Sequence, residues 1–263
     1  MKNANLRMLY VCFVIWGLIP PSSSVAQVIA GTTNFYTNIK SYNLSQLWRA
    51  DKLRLLELKK DEPFPEPLGV MGKNYQRFYI HYISVIKDPA NPYRYHVHGK
   101  TRVGNKIRTF TGTITVAQAG IHKSNSASAP GSYKGYKRGQ LVCKVRLKEA
   151  SGIGAGLING DLYTDFCINT QNQLFYDTLD FGDEGYQNNQ FKGVWLAQEG
   201  KAIQNIQYGD FTIMDTEFAD PEGIMVPAKY EKYGWQNFVN AISSDLRAAS
   251  KAAIAEEKRQ WWK

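Results

Sequence analysis

Three histidines come closest to a metal-site pattern in this sequence. His96 and His98 are two residues apart, so a β-strand places both side chains on one face. If the strands flank a loop at 87–92, antiparallel pairing sets His81 opposite His98, and three imidazoles at that spacing can bind zinc. Arg94 shares the face and would repel a cation, so exposed or hydrogen-bonded histidines are the competing interpretation.

Acidic residues form two further groups. Asp161 and Asp165 share a strand face, but four residues separate them by roughly 13 Å, more than the roughly 5–9.5 Å of paired glycosidase carboxylates. Asp180, Asp183 and Glu184 lie among glycines in a predicted hairpin loop, without the spacing of an EF-hand. Solvated turn acids are therefore the preferred interpretation, with calcium binding as the alternative.

Catalytic motifs are missing from the sequence. It has neither a G-x-S-x-G nucleophile elbow nor an H-E-x-x-H zinc motif, and its 180–182 DFG triplet lacks a kinase catalytic loop. Cys143 and Cys167 lie in β-patterned stretches, where they form either a disulfide or two free buried thiols. We therefore expect no cofactor and favour a binding protein over an enzyme.

A period of two dominates the middle of the chain. Residues 106–116 alternate apolar side chains with threonines, and residues 76–86 and 93–99 continue the β pattern. Further strands are predicted at 139–148, 156–167, 172–178, 190–198 and 201–214. Long helical patterns are absent between them, which argues against alternating βαβ units and leaves a β-sandwich or a closed barrel. The sequence predicts a mainly β fold, an antiparallel barrel of about eight or nine strands.

The helical period appears near both ends of the chain. Trp235, Phe238, Ile242 and Leu246 recur at three or four residues, which predicts an amphipathic helix over about 234–260. Residues 43–60 have similar spacing before a run of prolines. No domain linker is evident, so residues 27–263 are expected to form one domain.

Four runs carry a resemblance to a known family: FPEPLGVMG at 64–72, YQRFYIH at 75–81, GKTRV at 99–103 and NNQFKGVW at 188–195. They resemble uncharacterised secreted proteins of Gram-negative gut anaerobes. More broadly, the glycine-aromatic strand pattern before a C-terminal helix resembles lipocalin-like (calycin) β-barrels. The Gly-x-Trp of lipocalins is not near the first strand but late, at 193–195. The resemblance implies a barrel and supplies no catalytic residues.

The charge of the chain is basic but dispersed. It has 32 Lys and Arg against 23 Asp and Glu, a net charge of +9. Lys100, Arg102, Lys106 and Arg108 cluster about one predicted turn, and other basic residues decorate a predicted loop at 120–138. Because an exported chain does not meet nucleic acid, we expect no nucleic-acid partner; a solvated surface is the simpler interpretation, and acidic glycans or lipid headgroups are the alternative partners.

Inside the predicted barrel, Phe78, Tyr95 and Phe110 are the candidate ligand-binding residues. A barrel of about eight strands either holds one small ligand or is filled by side chains. We expect a non-enzymatic binding protein for a small apolar molecule or a glycan. The alternative is a surface structural or protein-interaction module without a small-molecule pocket.

Residues 1–26 have the pattern of a signal peptide. Lys2 and Arg7 precede a 12-residue apolar run at 8–19, which is shorter than the roughly 20 residues that a membrane-spanning helix needs. Ser24-Val25-Ala26 then supplies small residues at the positions that a signal peptidase recognises. The sequence predicts an exported protein, periplasmic or extracellular, without a transmembrane span in the mature chain.

N-terminal sequencing of the protein made in its own cell tests this prediction. We expect the mature chain to begin at Gln27, because cleavage follows Ala26. A mature chain that still begins at Met1 would contradict the export argument.

Overall fold

A computed structural model describes most of the chain. The described residues are 28–123, 132–133, 135–152, 154–198, 200, 202–220, 223–242 and 248–263. The predicted signal peptide at 1–26 lies outside them, as do residues 124–131 and 134 of the predicted 120–138 loop and Leu246 of the predicted C-terminal helix.

Fifteen strands lie in the described part of the chain: β1 (Thr32–Asn34), β2 (Lys52–Leu55), β3 (Lys60–Pro63), β4 (Leu68–Met71), β5 (Gln76–Lys87), β6 (Arg94–Val103), β7 (Lys106–His122), β8 (Ser132–Tyr133), β9 (Tyr136–Glu149), β10 (Gly156–Ile168), β11 (Leu174–Tyr176), β12 (Asn188–Ala197), β13 (Ile203–Asp210), β14 (Ala219–Asp220) and β15 (Gly223–Ile224). The helices there are α1 (Tyr36–Ile39), α2 (Ser45–Trp48), α3 (Ala228–Tyr230), α4 (Gln236–Ala241) and α5 (Lys251–Glu257), with a π-helical turn at Glu231–Trp235.

Eight of the strands close into a ring. Around it the order is β4, β5, β6, β7, β9, β10, β12, β13 and back to β4, and every neighbouring pair is antiparallel. The prediction of a mainly β, antiparallel fold is therefore confirmed.

Inward-facing side chains of the ring form the main core. Phe110 and Ile114 of β7 are both buried in it, as the alternation of the sequence predicts. Glycines make room for the larger rings: a Cβ on Gly99 would come within 2.5 Å of the Phe110 ring, and one on Gly160 within 2.7 Å of the Phe191 ring. Aromatic side chains thus fill positions that their neighbours leave vacant.

The segment before the ring packs into it. Leu44, Leu47 and Trp48 of the α2 region are buried in the main core. The helical pattern of 43–60 is wrong beyond Trp48, since β2 and β3 form a separate hairpin there. Leu53 and Leu55 are both buried, and only a strand places residues two apart on one face.

The C-terminal region is not one helix. Gly234, where the predicted helix over 234–260 begins, has a φ of +94°, and Ile242 is extended with φ −96° and ψ 132°, so α4 starts only at Gln236 and ends at Ala241. Trp235 is buried in a second, smaller core outside the ring. A short helix, α5, follows and is capped by the Ser250 side chain, which accepts a hydrogen bond from the Ala253 N–H. Across the described residues, no helix has both the length and the apolar character that crossing a membrane requires.

The two cysteines within the described residues are free and buried. Cys143 faces the core inside the ring, and Cys167 lies on the neighbouring strand β10. Burial raises the pKa of both thiols, so they remain protonated. The interpretation as two free buried thiols fits this arrangement.

Glu149 ties the turn between β9 and β10 to the ring. Its buried carboxylate accepts hydrogen bonds from the Thr101 hydroxyl at 2.5 Å, the Gly156 N–H at 2.9 Å and the Trp195 indole N–H at 3.1 Å. Three donors share this one acceptor group, so its removal leaves all three without a partner.

We predict that Glu149→Ala lowers the free energy of unfolding by roughly 3 kcal/mol or more, because buried donors that lose their acceptor cost about 1–3 kcal/mol each. Urea unfolding at neutral pH measures the change. Glu184→Ala, at an exposed turn residue, is the matched control and should leave the midpoint unchanged. Equal midpoints for the two variants would show that Glu149 does not hold the turn.

Candidate ligand-binding cavity

A cavity of about 820 Å³ opens where the ring is incomplete. The pairing of β4 with β5 stops at Gly69 and Phe78, although β5 continues to Lys87. The proline-rich segment 63–67 lines this gap, and the C-terminal residues 256–263 line its outer side. Side chains from inside the ring and from its outer face therefore border one space.

The inner end of the cavity is polar. The Trp48 indole N–H donates to the Thr164 hydroxyl, which donates to Asn189 Oδ1. The Asn189 amide donates to Asp210 Oδ2 at 2.7 Å, and the Tyr176 hydroxyl donates to the same oxygen at 2.9 Å. Asp210 Oδ1 has no hydrogen-bond partner among the described residues. Asp210, a buried residue with one carboxyl oxygen that lacks a hydrogen-bond partner, is thus among the residues that line the cavity.

A local distortion of β12 directs Asn189 into the ring. The pairing with β13 is irregular between Asn188 and Phe191, and Asn189 has a φ of +48°. On the other side of β12, the Asn188 side chain takes the place of backbone pairing with β10: its Oδ1 accepts from the Asp165 N–H and its amide donates to the Asp165 carbonyl. Bulges of this kind are common beside functional sites because they reorient one side chain.

Burial controls the protonation of Asp210. Loss of solvation raises its pKa to about 7, despite the hydrogen bonds from Asn189 and Tyr176, which favour the charged form. The negative charge of Glu66 raises the pKa further. At neutral pH the carboxyl group is thus divided between its neutral and charged forms, and Oδ1 is able either to donate or to accept a hydrogen bond.

Two tyrosine hydroxyls also line the cavity. The hydroxyls of Tyr82 and Tyr208 lie 2.7 Å apart inside the ring. Burial raises the pKa of both, and the nearby charge of Asp210 contributes to the rise, so both stay protonated. Because one hydroxyl donates to the other, the second keeps a hydrogen for a further acceptor.

Aromatic side chains form the rim. The His81 ring stacks on the Trp262 indole with centroids 3.9 Å apart and planes at 10°. His81 Nδ1 also lies 2.9 Å from a Glu66 carboxylate oxygen, which fixes the imidazole in its plane. Trp261 packs edge-on against Tyr79.

Two arginines attach α5 to the outer face of the ring. Arg77 is buried, and it pairs with Glu257 at 3.0 Å while its guanidinium lies 4.2 Å from the Trp235 ring centroid. Arg102 lies 3.9 Å above the Tyr79 ring and 3.7 Å from Glu256. These contacts position the C-terminal wall of the cavity.

The predicted ligand-binding residues lie behind the cavity wall. Phe78, Tyr95 and Phe110 are buried on the inner face of the ring, but none of them lines the cavity. Each packs against an aromatic side chain that does: Phe78 against Tyr208, Tyr95 against Trp48 and Phe110 against Tyr82. Their role in binding remains a prediction, and the structure gives them a supporting position.

The predicted alignment of the histidines is wrong. His81 pairs with Lys100 rather than with His98, because β5 continues past the predicted start of the loop and pairs Ile86 with His96, not with Tyr93. His96 instead lies 3.1 Å from Asp88 on the outer face. Among the residues that the structure describes, no three His, Cys, Asp or Glu side chains are grouped to hold a metal ion.

The acidic residues noted in the sequence lie elsewhere. Asp161 pairs with Lys144 on the outer face, and Asp180 pairs with Arg138. Burial raises the pKa of Asp165 to about 6, although the Gln140 amide donates to it. None of these side chains lines the cavity.

Sequence reasoning missed the residues that matter most in the cavity. Asp210 continues the inward-facing series Ile206 and Tyr208, so an acid occupies a position where the alternation predicts an apolar side chain. That break in the alternation could have indicated Asp210 from the sequence alone. Asn189 and Glu66 offered none, because a bulge and an irregular proline-rich segment place them.

Comparisons with known proteins leave the functional argument to this geometry. No protein-family model matches the chain, and no curated protein or solved structure is similar to it.

We predict that stability depends on pH through Asp210. Its pKa is about 7 when folded and about 3.9 in an unfolded chain, so the folded state holds the proton and the stability this contributes is lost as pH rises from 4 to 7. Asp210→Asn keeps an acceptor for Asn189 and Tyr176 but cannot titrate. Between pH 4 and pH 8 the wild type should lose on the order of 2–4 kcal/mol relative to this variant.

Urea unfolding at four pH values across that window measures the difference. Asp183→Asn, at an exposed turn residue, is the control and should follow the wild type. If the Asp210→Asn curve also runs parallel to the wild type, the carboxyl group does not titrate in the folded protein over this window.

Proposed function

We propose that this chain is an exported binding protein that holds a small ligand in the cavity beneath its C-terminal segment. The observation that carries the proposal is the buried Asp210 carboxyl group, which lines the cavity with one oxygen unpartnered. Buried polar atoms are normally paired, and a group that is not paired in the free protein is a natural contact for a ligand.

The dimensions and the setting support this proposal. A volume of about 820 Å³ lies within the range of about 300–1,000 Å³ that is usual for small-molecule sites. The polar groups at its inner end are held by strands and by a hydrogen-bonded chain from Trp48 to Asp210. In this proposal the eight-strand ring is a lipocalin-like barrel with its ligand at one end, as the sequence resemblance implies.

A second candidate rests on the outer surface. Leu157 pairs with Leu196, and Leu196 pairs with Ile203, so three apolar side chains form a row across β10, β12 and β13. Leu157 is 38% exposed and Ile203 is 68% exposed. Such a row supports a protein-interaction module, which is the function expected if the cavity binds nothing.

Native mass spectrometry of the protein purified from its own compartment tests the binding function. We expect a bound small molecule on the wild type and its loss from Asp210→Leu, because leucine offers no hydrogen bond at the inner end of the cavity. Asp183→Leu, the same change at an exposed turn, should keep the molecule. A wild type without any adduct, and without a thermal shift against lipids and glycans, would refute the proposal.

A further inference from the structure

We propose that the ligand of this cavity is a neutral saccharide, with a sugar hydroxyl on Asp210 and the sugar ring against the aromatic rim that includes Trp262. This inference rests on the proposed binding function and names the ligand class. It chooses the glycan over the apolar molecule that the sequence left open.

The first step is the chemistry of the inner end. A wholly apolar ligand would leave the buried Asp210 Oδ1 unpaired, which is unfavourable for a buried polar atom. A hydroxyl group donates to a charged carboxylate and accepts from a neutral carboxyl group. It therefore matches Asp210 in either protonation state, whereas an amine or a carboxylate matches only one.

The second step is a further hydrogen-bonding point near the first. Tyr82 and Tyr208, whose hydroxyls lie 2.7 Å apart, line the same cavity as Asp210. One hydrogen of this pair remains for an acceptor on the ligand. Neighbouring donors and acceptors on one ligand face are the pattern that adjacent sugar hydroxyls present.

The third step is the balance of charge. Six basic and five acidic residues line the cavity: Arg49, Arg77, Arg102, Lys258, Arg259 and Lys263 against Asp51, Glu66, Asp210, Glu256 and Glu257. Most of them pair with one another, as Arg49 does with Asp51 at 2.8 Å and Arg77 with Glu257 at 3.0 Å. A lining that is nearly neutral and internally paired does not favour an ionic ligand.

The fourth step is the aromatic surface. Tyr79, Trp261 and Trp262 line the outer part of the cavity, while Phe64, which packs against Tyr176, and Trp48 line its inner part. A sugar ring has hydroxyls at its edge and C–H groups on its faces, so the faces pack against aromatic rings while the edge reaches polar groups. The cavity offers both kinds of surface in the matching order.

A neutral glycan array followed by titration calorimetry tests the inference. We expect the wild type to bind at least one neutral oligosaccharide, with affinity at least tenfold lower in Asp210→Leu and in Trp262→Ala. Asp210→Asn keeps a donor and an acceptor at the inner end, so its affinity should stay within a fewfold of the wild type. Asp210→Asn also keeps the inference testable if Asp210→Leu fails to fold. Asp183→Leu and Tyr163→Ala, outside the cavity, are the matched controls and should bind as the wild type does.

The apolar probe N-phenyl-1-naphthylamine distinguishes a failure of the saccharide inference from a failure of the proposed binding function. If it binds in the cavity while the array is blank, the saccharide inference is wrong and the binding function stands. If neither binds, both are wrong. Binding of acidic glycans alone would also overturn the inference, because it would show that net charge governs recognition.

Discussion

The closure of the ring at its shortest strand is the constraint on which the rest of the structure depends. β4 has four residues, between β5 with twelve and β13 with eight, so the wall of the ring is incomplete beyond Gly69. Unpaired strand edges and an open core are both unfavourable in water. The α2 region, the proline-rich segment 63–67 and the C-terminal residues 256–263 gather around this gap, and the cavity is the space that they leave.

Two buried acidic residues of the ring differ in how their carboxyl oxygens are hydrogen-bonded. Glu149 and Asp210 both point into the ring, and both are buried. Glu149 receives three hydrogen bonds and uses both its oxygens. Asp210 receives two on one oxygen and none on the other among the described residues, and it is one of the residues that line the cavity. The first arrangement holds a turn in place, while the second leaves one buried polar atom without a partner among the described residues.

The sequence predicted the part of the fold that depends on local alternation. Residues 106–116 face in and out as expected, and the antiparallel arrangement followed from the absence of long helical segments. The failures have a common physical origin in local irregularity. The loop after β5 pairs Ile86 with His96 rather than with Tyr93, a bulge in β12 turns Asn189 inward, and Ile242 leaves the helical conformation inside the predicted helix. The period of the hydrophobic pattern does not predict such departures, because each one is a local change in backbone conformation.

The helix α5, which leads into the C-terminal wall of the cavity, depends on packing against the ring for its stability. α5 has seven residues, too few to be stable in water without packing. Arg77 and Arg102 supply that packing by joining Glu257 and Glu256 to the aromatic side chains of the outer face. Trp261, buried at the end of the segment, adds the apolar contact that a short helix lacks. Because Trp262 adjoins Trp261 and stacks on His81, the same contacts that fold the segment also set the rim where a ligand would first meet the protein.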